Sequence, residues 1–200
     1  MKAAGVMVSA VISVRPNARV EEVARTLLAH RISAVPVINE EGELLGIVSE
    51  GDLMRRAEAG TDVMTRSVIT ATPETPLGEI ATLLEKNRIK RVPIVQNGKV
   101  VGIVSRANLL QALASMPAKE VTATNVDDSE LRDKVLSRLN AELWRPSLLN
   151  VTVHDGNVDL WGFVTSYDEK KAARIAVGEI VGVKSINDHL AIPPPETAMV

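Results

Sequence analysis

The sequence predicts an α+β chain: two copies of one β-α-β-β-α unit, packed as a pseudo-two-fold pair, followed by a smaller α-β-β-α-β unit. Three observations predict it. The first half contains an internal repeat, with "VMVSAVISVRPNA" from Val6 answered by "VMTRSVITATPET" from Val63, a shift of 57. Each copy alternates apolar residues at helical spacing with short β-branched runs. The last third breaks the repeat and carries a helix, a hairpin, a second helix and a strand of its own.

Each copy opens with a short strand, Val11–Val14 or Val68–Ala71, ending near a proline. A helix follows, with apolar residues at Val20, Val23, Ala24, Leu27 and Leu28, and the shift of 57 aligns "VEEVARTLLAHRISAVPVI" with "LGEIATLLEKNRIKRVPIV". "AVPVI" and "RVPIV" are second strands. A glycine-containing turn leads to the third, "LLGIVS" or "VVGIVS", where one residue fewer in "QNGK" than in "NEEGE" reduces the shift to 56. A second helix starts from Asp52 or Asn108. Neither copy covers its sheet alone, so the two are expected to pack together.

In the last third, "DDSELRDKVLSRLNAELW" is a helix with Leu131, Val135, Leu139 and Leu143 on one face. "LLNVTVHDGNVDLWGFV" is a hairpin: Leu149, Val151 and Val153 alternate, "DGN" turns, and Val158, Leu160 and Gly162 alternate back. Trp161 and Phe163 fall out of phase, on the opposite side, where either a contact surface or helix packing would use them. "SYDEKKAARIAVGEI" is a helix opened by Ser166 and Glu169 at capping-box spacing, and "GVKSINDHLAI" is a last strand. The expected boundaries are 1–61 and 62–117 for the repeats, 118–125 for a linker, 126–193 for the last unit and 194–200 for a tail.

Composition narrows the function. Apolar residues make up 46% of the 200, enough for a core, but aromatics only 2%, which argues against a stacking platform for nucleic acid. The lack of cysteine removes disulfides, thiol catalysis and zinc-thiolate sites and fits a reducing compartment. Residues 1–118 hold 14 Lys and Arg against 12 Asp and Glu, a balance of +2; residues 119–200 hold 9 against 13, a balance of −4. Neither stretch has the basic surplus of a nucleic-acid binder. "MKAAGVMVSAVISV" imitates a signal peptide weakly, with one lysine, no convincing cleavage site and a segment that recurs internally. No run approaches the roughly 18 apolar residues of a membrane span, and a cytoplasmic location is expected.

The sequence has no GxSxG, no phosphate loop ending in GK[ST] and no HExxH, and His30, His154 and His189 sit in three separate elements without metal-ligand spacing. No enzyme, metal or required cofactor is expected. Attention falls on Ser49–Asp52 and its echo Ser105–Asn108. Ser-x-x-Asp before a helix is a capping box. The same geometry offers free N–H groups to a phosphate and a carboxylate to the two hydroxyls of a ribose, with Gly51 allowing close approach. The two readings are compatible.

The segments "VISVRPNA", "RISAVPVI" and "LLGIVSEGDL", with "VITATPET", "RIKRVPIV" and "VVGIVSRANL", resemble a tandem pair of CBS domains, a Bateman module, over roughly residues 5–116. The resemblance implies a regulatory ligand sensor, with AMP, ADP or ATP bound in clefts between the repeats and self-association into a homodimer. In that family each cleft joins the first two strands of one repeat to the Ser/Thr-x-x-Asp of the other. Carried over, one cleft holds Thr70, Lys90 and Arg91 with Ser49 and Asp52; the other holds Ser13, Ser33 and Ala34 with Ser105, Arg106 and Asn108. Charge favours the first: Asp52 is acceptor-only and Lys90 and Arg91 meet phosphate, whereas Asn108 must place its amide donors elsewhere. Lys90 and Arg91 also read as a solvated pair at a strand start, and Ser13 and Thr70 as ordinary strand-end polarity.

The hairpin, "ARIAVGEIVGVKSINDHLAI" and the glycines Gly156, Gly162 and Gly182 resemble a BON domain over roughly residues 124–193. That family implies contact with phospholipid or other envelope components, so the alternative expectation is an envelope- or membrane-interacting structural protein in which the repeats are a scaffold. A balance of −4 suits anionic headgroups poorly.

Overall fold

A computed structural model describes residues 1–56, 63–115 and 126–193. The expected linker over 118–125 and tail over 194–200 lie outside them. The chain divides into two compact units, Lys2–Arg106 and Ala107–Val200 with Met1.

In the first unit, repeat 1 supplies α1 (Val20–Ala29), the antiparallel pair β1 (Ala34–Ile38) and β2 (Leu44–Ser49), and α2 (Glu50–Arg56). Repeat 2 supplies α3 (Leu77–Lys86), the pair β3 (Arg91–Gln96) and β4 (Lys99–Ser105), and the start of α4 (Arg106–Ala114). The cores repeat like the sequence. Val14, Val23, Leu27, Val35, Val37 and Val48 are buried in the first copy, and Ala71, Ile80, Leu84, Val92, Ile94 and Val104 stand at the matching positions of the second. Val23 with Leu27, and Ile80 with Leu84, are spaced by four, so each helix buries one narrow stripe.

The expected opening strands shrink to single parallel bridges, Val14 with Val37 and Ala71 with Ile94. Proline explains both. The Val14 amide donates to the Pro36 carbonyl and its own carbonyl accepts from Ile38, while Ala71 does the same with Pro93 and Val95. The next rungs would need amide hydrogens from Pro36 and Pro16, or from Pro93 and Pro73, and proline has none.

The residues just ahead of these bridges cross to the other repeat. Val8 pairs with Ile103 of β4, and Thr65 pairs with Ile47 of β2. Met7 then packs on Gly102 and Met64 on Gly46, so close that a Cβ on Gly46 would sit 2.3 Å from the Met64 Cγ. The glycine of each "GIVS" is therefore the seat of a methionine from the other copy. This reciprocal exchange joins the repeats and brings Thr65–Ile69 alongside the end of β2.

In the second unit, β5 (Ser147–His154), β6 (Asn157–Phe163) and β7 (Ser185–Ala191) form one sheet in that order, β5–β6 antiparallel and β6–β7 parallel. α5 (Val126–Asn140) and α6 (Tyr167–Gly178) cover one face over a core of Leu131, Val135, Leu139, Val151, Leu160 and Val177. Asp155 and Gly156 turn the hairpin with φ of 50° and 78°, the primed turn that matches strand twist. The Asp128 carboxylate accepts from both turn amides, at 2.7 and 2.9 Å. Leu143 departs from the expected stripe: α5 ends at Asn140, and Leu143 is fully exposed. Ser166 caps α6 by accepting from the Glu169 amide, and Glu169 reaches back to the Thr165 amide and hydroxyl.

A cleft between the repeats as candidate ligand site

Ser49 ends β2 and caps α2. Its hydroxyl accepts from the Asp52 amide at 3.3 Å, while Asp52 Oδ2 accepts from the Ser49 amide at 3.0 Å and from its Oγ at 2.6 Å. This is a complete reciprocal capping box, which commits one carboxylate oxygen to the helix. The other, Oδ1, accepts from Arg55 Nη2 at 3.2 Å. Asp52 is 6% exposed, and among the described residues it belongs to a small set of buried polar side chains.

A cleft of about 420 Å³ lies against this box. Ser49, Gly51 and Arg55 of repeat 1 line it together with Ser67, Ile69, Lys90 and Arg91 of repeat 2. That size falls within the range of small-molecule sites. Asp52 stands directly behind the lining, bonded to two of its members. Thr70 follows the lining residue Ile69 and is itself exposed. Arg91 is the best-fixed cation: Nη1 donates to the Ala34 carbonyl at 3.0 Å and Nη2 to Ser33 Oγ at 2.6 Å. Its Nε is buried with no partner among the described residues. Burial holds this guanidinium below the ordinary arginine value, with Glu50 acting in the opposite sense.

Ser33 and Ala34, expected in a second cleft, thus line the first and anchor Arg91. The rest of the second set does not assemble within one unit. Ser13, half-buried, precedes Val14; Ser105 ends β4; the Arg106 amide donates to the Lys90 carbonyl, as Glu50 does to Ser33. Asn108 is buried in the other unit, where its Nδ2 donates to Gln111 Oε1 at 3.2 Å. Sequence reasoning missed Arg55 and Arg88 in the lining. Arg55 was findable, because three residues beyond Asp52 on a helix is a neighbouring position.

In the second unit, Trp161 lies outside the helix-covered core, on the face with Asn150, Thr152, Asp159 and His189. Its ring stacks on His189 at 4.0 Å, and His189 Nε2 is 3.0 Å from Asp159 Oδ1. The end of α4 reaches this face: Asn150 Nδ2 donates to Gln111 Oε1 and Thr152 Oγ1 to Ser115 Oγ, each at 2.8 Å. His30 is exposed at the end of α1, and no described group of three or more His, Asp or Glu could hold a metal. No described helix is long and apolar enough to cross a membrane.

Comparison with known proteins agrees with this architecture. The chain belongs to the CBS domain family: the CBS model matches residues 3–59 and again 59–115, and the BON domain model matches 127–194. Protein MJ1225 of Methanocaldococcus jannaschii is 27% identical over 189 residues, 83% of this chain and 68% of its own. Among solved structures, the CBS domain pair of protein MJ0100 in complex with 5′-methylthioadenosine and S-adenosyl-L-methionine is 28% identical, with a TM-score of 0.54 over 57% of this chain and 96% of that one. The structure of CBSX2 in complex with AMP is 26% identical, with a TM-score of 0.52 over 56% and 96%. Both of these similar CBS pairs hold adenosyl compounds in their structures.

Proposed function

We propose that this chain is a non-catalytic sensor that binds an adenine nucleotide in the cleft of Ser49, Lys90 and Arg91, with Asp52 as the ribose acceptor. The observation that carries the reading is one cavity lined by Ser49 of repeat 1, whose amide and hydroxyl bond the buried Asp52 behind it, and by Lys90 and Arg91 of repeat 2. The bound adenosyl ligands of the two similar CBS pairs support the class of ligand. A ligand touching both repeats stabilises the arrangement in which they are joined, so binding acts by population shift. Self-association of the CBS pair into a homodimer belongs to the same reading. We assign the BON domain a relay role, supported by the hydrogen bonds that Asn150 and Thr152 of the BON sheet donate to Gln111 of α4 and to Ser115 just after it.

The test is thermal unfolding with AMP, ADP, ATP, NAD and S-adenosylmethionine. A ligand at about 100 times its dissociation constant adds roughly 2.7 kcal/mol. A shift with at least one of them in the wild type, reduced in Asp52→Ala, is expected. No shift with any adenosyl compound overturns the reading.

A further inference from the structure

The charge on the cleft wall is uneven. Arg55, Arg88, Lys90 and Arg91 line it against Glu50, with Asp52 bonded to Arg55 behind the lining, a local balance of +2. Residues 1–118 also sum to +2, so everything in that stretch outside the site sums to zero. The unit concentrates its positive charge at this cavity. Such focusing favours anionic ligands and disfavours cations. Arg88 also adopts φ of 53°, the left-handed region where glycine is the unstrained choice. Arg31 takes the same conformation in repeat 1, with φ of 52°, but only Arg88 of the two lines the cleft.

Arg55 gives the charge a consequence. Asp52 Oδ2 is committed to the capping box, so Oδ1 is the oxygen left for a ligand hydroxyl, and Arg55 Nη2 holds it at 3.2 Å. The Arg55 side chain is 70% exposed and can swing on a flexible stem. The Asp52 oxygen that a ribose would use is therefore covered by a mobile-stemmed cation.

Resting on the nucleotide-binding reading above, we propose that the cleft selects its adenosyl ligand by charge, taking nucleotides in order of phosphate number and rejecting the sulfonium S-adenosylmethionine, with Arg55 as the gate. A phosphate draws Arg55 away from Asp52 and so opens Oδ1 to the ribose. Adenosine, lacking phosphate, must displace Arg55 without compensation. Recognition of ribose and phosphate is coupled through one side chain. Arg55 thereby determines specificity as well as affinity.

The experiment is calorimetric titration of the full chain with adenosine, AMP, ADP, ATP and S-adenosylmethionine, without added divalent cations, on wild type, Arg55→Gln and Arg88→Gly. Wild type is expected to bind about two- to fivefold tighter with each added phosphate, the size of partly exposed charge pairs, and S-adenosylmethionine most weakly. Arg55→Gln is expected to bind adenosine at least as tightly as wild type while losing ATP affinity, so that the ATP-to-adenosine ratio falls about tenfold. Arg88→Gly is expected to raise the unfolding midpoint yet weaken ATP, which separates cleft charge from fold. Equal losses of adenosine and ATP in Arg55→Gln, or S-adenosylmethionine binding wild type as tightly as ATP, would overturn the gate and leave nucleotide binding standing. Absence of binding by all five ligands overturns both.

Discussion

Replacing Asp52 separates its two roles, because alanine removes both and asparagine only one. Alanine deletes the acceptor for the Ser49 amide and hydroxyl at 3.0 and 2.6 Å, a lost cap worth about 1–2 kcal/mol. For a unit of about 100 residues, at about 4–8 °C per kcal/mol, that lowers the midpoint by about 4–16 °C. Asparagine keeps a carbonyl oxygen for the Ser49 amide, so its unliganded midpoint is expected to stay within about 2 °C of wild type. For the ligand both variants lose a charged acceptor, worth about 1.5–3 kcal/mol, or roughly 10- to 150-fold in affinity. At a concentration giving wild type about 2.7 kcal/mol of stabilisation, either variant then keeps about 1.4 kcal/mol or less. Differential scanning calorimetry with and without ATP reads both quantities at once. If Asp52→Asn keeps the full ATP shift, Asp52 is a helix cap and nothing more.

Other outcomes follow from the packing. Gly46→Ala places a methyl group 2.3 Å from Met64 Cγ and 2.9 Å from the Thr65 carbonyl, and is expected to cost about 1–3 kcal/mol by denaturant unfolding while leaving the C-terminal unit intact. Asp128→Ala strips the hairpin turn of its acceptor for the Asp155 and Gly156 amides and should destabilise the C-terminal unit by about 2 kcal/mol, seen as faster amide exchange across β5 and β6. The Thr165 hydroxyl and amide hold the Glu169 carboxyl below its usual range. A depressed carboxylate contributes stability that is present above its unfolded value and is lost as pH falls through the folded one. Glu169→Gln should therefore lower stability at neutral pH and leave it nearly unchanged at low pH, which flattens the acid side of the unfolding profile.

Much of the fold was legible because it is written twice. The 57-residue shift aligns Val23 with Ile80, Leu27 with Leu84 and Val35 with Val92, and the two cores use those positions. The exchange of leading segments was not legible. It rests on two single bridges, Val8 to Ile103 and Thr65 to Ile47, and on glycines whose partners lie in the other copy. Local pattern carries no record of such a crossing. The same crossing sets the site: Lys90, Arg91 and Ser49 were identified from motifs and lie together, whereas Ser33 joins Arg91 only because the start of β1 approaches the start of β3. Arg88 escaped notice because a helix-ending arginine looks like solvated charge until its φ and neighbours are known. Over-reading occurred where periodicity outran an element's end, as at Leu143, and where proline silently removed rungs, as at Val11–Val14.

Photo-crosslinking with an azido-adenine nucleotide, followed by peptide mapping, tests the central claim most directly. Label on peptides carrying Ser49–Arg55, Thr65–Ile69 or Arg88–Pro93, competed by unlabelled ATP and reduced in Asp52→Asn, is the predicted result. Competable label confined to the BON residues 127–193, or label that ATP does not compete, would contradict a nucleotide site between the repeats.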